Sequence, residues 1–281
     1  MRGGKSSYFV FADPSGGTER GIKDEFEILR AVKRYRVGPN VCWLGDDFFG
    51  EHVMLQEHLD GVLFPDLLRR EQDRLFPSVA RFIAKINKIK FPKGILSLEE
   101  RLISYLRHKE TWRWRLETML LERRSREVGQ RIETLLPRAE ELLHRFDERL
   151  QRVLKKTKPV LIFESAHAGH LIRLKRGGFR FVNWEKVIFG DPSFSLAVFL
   201  ASISTRRDFP RVKERIVRAY LVKNPVPEFR ELTEDRLKER AISNLLWVGW
   251  AYVTRKDPRP IESATSITRR LREVERILQR L

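Results

Sequence analysis

One cysteine stands in 281 residues, Cys42, in the apolar run Val41-Cys42-Trp43-Leu44. A disulfide framework is thereby excluded, and a reducing compartment, the cytoplasm, is the expected location. The thiol itself reads as a small core residue. No apolar run approaches the roughly 18 residues that a membrane-spanning helix needs. The opening stretch MRGGKSSYFVFADP holds one short apolar patch and no small-residue cleavage site, so no signal peptide is expected. Clustered Cys/His spacings of a zinc site are missing too. Acidic residues are in deficit: 38 Asp+Glu face 56 Lys+Arg, a net charge of +18. Asn and Gln are scarce beside Arg, a composition that leans toward a thermophilic source rich in surface ion pairs. The excess of 18 cations has no internal acid to pair with. It must face solvent or an anionic partner, which could be nucleic acid, phosphate or an acidic protein.

What is present is a globular chain, 42% apolar and 33% charged, long enough for one large domain or two lobes. YFVFADP reads as a short strand ending at Pro14. IKDEFEILRAVKRY places Phe26, Leu29, Val32 and Lys33 at helical spacing. VGPN is a turn, and VCWLGDDFFGEHVMLQEHLDG reads as two strands around a Gly/Asp-rich hairpin, followed by a linker. From Val62 onward helices dominate. An apolar stripe runs through Ile132, Leu135, Leu136, Leu142, Leu143, Phe146, Leu150 and Val153, and Pro137 within it predicts a kink or a fresh first turn. PVLIFES is a strand, LIRLKRGGFRFVNW a hairpin turned by Gly177-Gly178, and the last helix carries Ile267, Leu271, Val274, Leu278 and Leu281 on one face. Trp112 and Trp114 sit among cations, where Arg and Trp together bind phosphates and stack on bases, or where Trp simply faces a core.

Two segments carry more than packing. IFESAHAGHLI keeps His167 and Gly169 in an apolar frame, and FVNWEKVIFGDPSFSLA keeps Trp184, Glu185, Gly190, Asp191, Pro192, Leu196 and Ala197. The pair resembles the catalytic core of the aminoglycoside phosphotransferase and choline kinase-like family, whose members carry HGDLHPGN at a strand end, then a hairpin, a DWE-type strand end and GDP. VMLQEHLDG resembles the family's hinge pattern with Glu57 and Gly61, and ARFIAKINKI its following helix, with Asn87 at a His position. The resemblance implies an α+β, protein-kinase-like two-lobed fold. Its expected parts are an N-terminal lobe at 1–61 lacking the first two strands and the phosphate-covering loop, and a large helical C-terminal lobe at 62–281 with the relic strand-hairpin at 160–200.

The departures from the family pattern decide the functional expectation. The family's catalytic Asp falls on Ser165, its metal-binding Asn on His170 and its metal-binding Asp on Asn183. The third-strand Lys would lie near Phe11, where there is none, while Glu25 stands for its helix partner. Phosphoryl transfer rests almost wholly on positioning and charge stabilisation, and a pair of neutral side chains does not hold Mg²⁺ as carboxylates do. His167, Glu185 and Asp191 are retained, and only Glu185 or Asp191 could supply a carboxylate near Asn183. A Ser165–His167–Glu164 nucleophilic set is disfavoured, because strand neighbours point to opposite faces and no G-x-S-x-G elbow is present. The expected protein is a catalytically inactive, pseudokinase-like scaffold that needs neither metal nor cofactor. It acts by binding an anionic partner through Arg173, Lys175, Arg176 and Arg180. The alternative is a residual ATP-dependent phosphotransferase acting on a small-molecule hydroxyl.

Overall fold

A computed structural model describes residues 8–12, 20–46, 52–91, 105–184, 187–255 and 263–279. The chain forms two compact units, Met1–Arg101 with Pro159–Val226, and Leu102–Lys158 with Pro227–Leu281. The partition follows packing density, whereas the boundary expected at residue 61 is one of lobes.

In the first unit, β1 (Tyr8–Ala12), helix α1 (Arg20–Val32), β2 (Val41–Asp46) and β3 (His52–Glu57) follow one another. The strands form an antiparallel sheet in the order β1-β3-β2. Helix α1 turns Ile22, Glu25, Ile28, Leu29 and Val32 inward, the 3.6-residue period expected of an amphipathic helix. Cys42 is exposed and not in a core. Strand alternation buries its neighbour Val41, and a bulge between Val41 and Trp43 disturbs the register there. The Gly/Asp-rich hairpin tip at 47–51 lies outside the described residues.

The expected linker after β3 contains a strand. β4 (Gly61–Leu63) pairs antiparallel with β6 (Leu171–Leu174), which pairs with β7 (Phe179–Phe181). A side chain at Gly61 would bring its Cβ within 2.5 Å of the Arg173 carbonyl, so this strand comes close only because Gly61 has none. Gly177 and Gly178, at φ +94° and +84°, turn the β6–β7 hairpin in a region that disfavours other residues. β5 (Val160–Phe163) pairs with β8 (Val187–Gly190). Helices α2 (Arg69–Asn87), α5 (Phe194–Ser202) and α6 (Phe209–Lys223) complete the unit, with Phe64, Phe76 and Phe199 meeting at 5.7–6.4 Å between ring centroids.

The second unit is helical: α3 (Tyr105–Leu121), α4 (Arg126–Lys156), α7 (Phe229–Thr254) and α8 (Ala264–Gln279). The stripes converge on one core holding Ile132, Leu142, Leu143, Ile242, Leu246, Leu271 and Leu278. Pro137 neither ends α4 nor starts a new helix; the 31-residue helix runs through it. The break falls instead at 122–125, where Ser125 Oγ donates to the Met119 carbonyl at 2.7 Å and closes the end of α3. Trp112 and Trp114 part company: Trp112 is fully buried and donates to Ser243 Oγ at 2.9 Å, while Trp114 is 52% exposed.

Candidate functional site

β5 ends at Phe163 because its N–H and carbonyl are both engaged by Ser195 Oγ, at 3.0 and 3.2 Å, on the first turn of α5. The next residues close into a tight loop. His167 N–H donates to the Ser165 carbonyl at 2.8 Å, His170 N–H to the His167 carbonyl at 3.0 Å, and Ala168 N–H to Ser202 Oγ at 2.9 Å. His170 Nδ1 lies 3.1 Å from the same Ser165 carbonyl; a carbonyl only accepts, so Nδ1 of a neutral ring carries the proton. The His167 and His170 rings lie with centroids 3.6 Å apart. Burial, with His170 adding to it, pushes the His167 imidazole down to about 4. His167 is therefore neutral at physiological pH, and it packs the loop.

Asn183 adopts φ +66°, a left-handed conformation that Asn tolerates better than most residues. The reversal presents the next N–H, that of Trp184, to Glu25 Oε1 on α1 at 2.6 Å. Trp184 then stacks on Phe163 with centroids 4.7 Å apart and donates its indole N–H to the Phe181 carbonyl. Glu25 thus receives a backbone N–H where the family resemblance implies a lysine. Asp191 is 3% exposed and takes bonds from Ser193 N–H and Oγ at 2.8–2.9 Å, which caps the start of α5. Asn87, at the position of a family His, donates to the Leu161 carbonyl at 2.7 Å and faces Tyr220 Oη at 2.8 Å. Burial raises the Tyr220 phenol well above its ordinary value, the Asn224 hydrogen bond working against it.

A cavity of about 640 Å³ opens beside these elements. The end of β3 contributes Gln56, Glu57, His58 and Leu59, and the opposite side contributes His170 and Asn183, with Glu25 beyond. Glu57 is held in place by Asn40, whose N–H and Nδ2 donate to Oε2 at 3.0 and 2.7 Å. Among the described residues, the lining contains two carboxylates and no Lys or Arg. Of the sequence-derived positions, His170 and Asn183 face this space together. Ser165 reaches it only through its carbonyl bond to His170, and Asp191 is turned into the α5 cap. Glu185 lies outside the described residues. His58 and Gln56 were not singled out in the sequence; the hinge-like pattern VMLQEHLDG was the signal that marked their place.

Of the positions that the family resemblance assigns to metal binding, those that face the cavity carry an imidazole and an amide, and Asp191 of the GDP stretch accepts from Ser193. Among the described residues no three His, Cys, Asp or Glu side chains gather as a metal site. The hairpin cations are spread over several engagements. Lys175 pairs with Asp60 at 2.7 Å, Arg173 donates to the Gly178 carbonyl and lies over the Phe179 ring, and Arg180 donates to the Phe179 carbonyl. Arg176 is exposed.

No protein-family model matches the sequence, and no curated protein matches it either. Solved structures do match. A choline kinase of Streptococcus pneumoniae superimposes with a TM-score of 0.67 at 13% identity, covering 98% of this chain and 87% of that one. An ethanolamine kinase of Plasmodium vivax gives 0.66 at 9% identity, with coverages of 98% and 76%. A microcompartment-associated aminopropanol kinase gives 0.61 at 17% identity, with coverages of 96% and 82%. Spectinomycin and other aminoglycoside phosphotransferases match in the same way, at TM-scores of 0.56–0.61. No described helix is long and apolar enough to cross a membrane. The chain has the two-lobed α+β fold of the choline kinase and aminoglycoside phosphotransferase-like kinases.

Proposed function

We propose that the protein handles a small hydroxylated amine in the cleft of its first unit, with residues 1–61 as the N-terminal lobe and 62–281 as the C-terminal lobe of a cytoplasmic kinase-fold protein. The observation that carries this is the lining of the cleft: among the described residues, Glu25 and Glu57 are its carboxylates, and no Lys or Arg lines it. Carboxylates in a partly dehydrated cavity favour a cationic ligand over a polyphosphate. The fold similarity supports the same class, since the neighbours are kinases named for choline, ethanolamine, aminopropanol and aminoglycosides.

Two readings divide on whether phosphate moves. Ser165, His170 and Asn183 at the base and metal positions support binding without transfer. The fold similarity supports ATP-dependent transfer to a hydroxyl of the bound amine, and it gives that reading more weight than it gives inactivity. Binding of nucleic acid by Arg173, Lys175, Arg176 and Arg180 has the net charge of +18 in its favour and nothing more specific. The deciding experiment is calorimetric titration with choline, ethanolamine and an aminoglycoside, alone and with Mg²⁺-ATP, beside an assay for phosphorylated product. Saturable amine binding that His170→Ala and Gln56→Ala abolish supports the cleft, and its absence for the whole panel rejects it. Acceptor-dependent ATP consumption selects the phosphotransferase reading.

A further inference from the structure

The net charge of +18 is not evenly relieved, and one cluster in the first unit shows where it is left over. The turn after α1 ends at Arg36, itself left-handed at φ 52°. Lys85, from the last turn of α2, donates to the Tyr35 carbonyl at 2.6 Å. Phe181 N–H, on β7, donates to the Val37 carbonyl at 2.9 Å. Bonds on either side of Arg36 therefore bring Lys85 and Arg180, the residue before Phe181, to the same turn. Three cations from three separate elements converge there. Arg36 and Lys85 are exposed, and Arg180 is half-buried.

Elsewhere the surface pairs its cations when an acid is at hand: Arg69 with Asp208, Arg113 with Glu140, Lys175 with Asp60. Among the described residues, Arg36, Lys85 and Arg180 form no ion pair. Their side-chain bonds go only to the carbonyls of Tyr35 and Phe179. The acid whose field reaches Arg180 is Glu57, and that carboxylate is already held by Asn40. Burial first and then the neighbouring cations depress Lys85; burial and Arg36 depress Arg180 against the pull of Glu57. The three groups feel one another. Such an arrangement is unfavourable unless an anion relieves it.

We propose that Arg36, Lys85 and Arg180 form a binding site for a compact phosphoryl oxyanion, free phosphate or a phosphomonoester, distinct from the cleft lined by His170 and Asn183. Two guanidinium groups offer planar forks of N–H donors, and the ammonium adds a point charge beside them, the combination suited to a tetrahedral oxyanion. A backbone hydrogen bond ties β7 to the turn and the Lys85 side chain ties the end of α2 to it, so the three donors are gathered before the ligand arrives.

The full chain is titrated with inorganic phosphate and with glycerol phosphate by calorimetry at low ionic strength, and melting temperature is recorded with and without each. The expected result is saturable binding. It is weakened about tenfold or more by Arg36→Gln or Arg180→Gln, the ratio that a hydrogen bond to a charged group commands. Lys85→Gln keeps a donor to Tyr35 and is expected to weaken binding less. Arg36→Gln should also raise the melting temperature in phosphate-free buffer, because it removes repulsion, while shrinking the rise that phosphate produces. Lys175→Ala/Arg176→Ala removes hairpin cations outside the cluster, and His170→Ala alters the cleft; both should leave phosphate affinity unchanged. Tighter binding of glycerol phosphate than of phosphate identifies an ester as the preferred form. Absence of saturation below about 10 mM phosphate overturns the proposal, since Kd values near 1 mM correspond to only about 4 kcal/mol. Equal losses in the hairpin and cluster variants overturn it as well, because they would mean net charge alone, and loss in His170→Ala would place the anion in the cleft.

Discussion

One polar cluster in each unit shows opposite treatments of polar groups away from bulk solvent. In the second unit Arg236 and Glu239 are both fully buried and lie 3.2 Å apart on α7. Glu239 also accepts from Ser243 Oγ at 2.5 Å, Ser243 from the Trp112 indole, and Arg236 lies over the Phe146 ring at 4.2 Å. Each charge there meets an opposite charge, a hydroxyl or a ring face. In the first unit the loop after β5 leaves the half-buried His170 and Asn183 facing a cavity, with the His167 imidazole depressed by its partial burial. The first arrangement can only hold helices together. The second holds a loop together while keeping polar groups available to a ligand.

The comparison is broken most severely on the closed side. Arg236→Met should leave the buried Glu239 charge to the more distant Arg240, at 4.0 Å, and cost about 3 kcal/mol, read as a fall in urea midpoint at constant m-value. Arg236→Met/Glu239→Met should cost less than the single change, because no uncompensated charge remains. If the single change proves as mild as a surface substitution, the second unit is not held as described.

Next in size is Asp191, a carboxylate retained from the family pattern but closed into the α5 cap. Asp191→Ala should cost about 1–3 kcal/mol by leaving Ser193 N–H and Oγ unsatisfied, and should leave ligand affinity in the cleft unchanged once the protein is folded. Altered affinity at full folding would return Asp191 to the site.

His167 gives a smaller, pH-dependent effect. Its folded value near 4 lies below the unfolded 6.5, so the unfolded chain binds more protons between those limits. The stability due to the neutral ring is fully present above about pH 6.5 and is lost as pH falls toward 4. His167→Gln should flatten the stability profile across that window, measured by melting temperature at closely spaced pH, with the slope reduced because the ring is partly solvated. A slope unchanged in the variant would assign it to other groups.

The smallest effect tests the sheet. Cys42 is exposed, so Cys42→Ser should change stability by no more than about 0.5 kcal/mol, and the native thiol should react with a thiol reagent as fast as the unfolded one. Slow labelling would put Cys42 back in a core.

Much of the fold was legible because periodicity survives without context. The stripes of α4 and α8, the Gly177-Gly178 turn and the Val160–Leu200 kinase-like segment were all readable from spacing and residue type. Context defeated three details. Pro137 reads as a kink or a fresh first turn, and the 31-residue helix runs through it without a new start. Gly61–Leu63 reads as a linker, because its pairing partner lies more than a hundred residues away. Cys42 reads as core, because apolar neighbours on a strand do not say which face is covered. At the site, motif positions named Ser165, His170 and Asn183, and the structure separated them: two face the cavity and one does not.

By itself the sequence determined the kinase-like order of elements, the neutral residues at the acid positions and the surplus of positive charge, since these follow from residue identity and short-range period. Only the tertiary structure decided that Asp191 is sealed in a cap, that Glu25 serves the Trp184 backbone, and that Arg36, Lys85 and Arg180 meet without an acid between them. Those facts depend on distances between residues far apart in the chain, and electrostatic energy depends on distance and burial, which no one-dimensional pattern records.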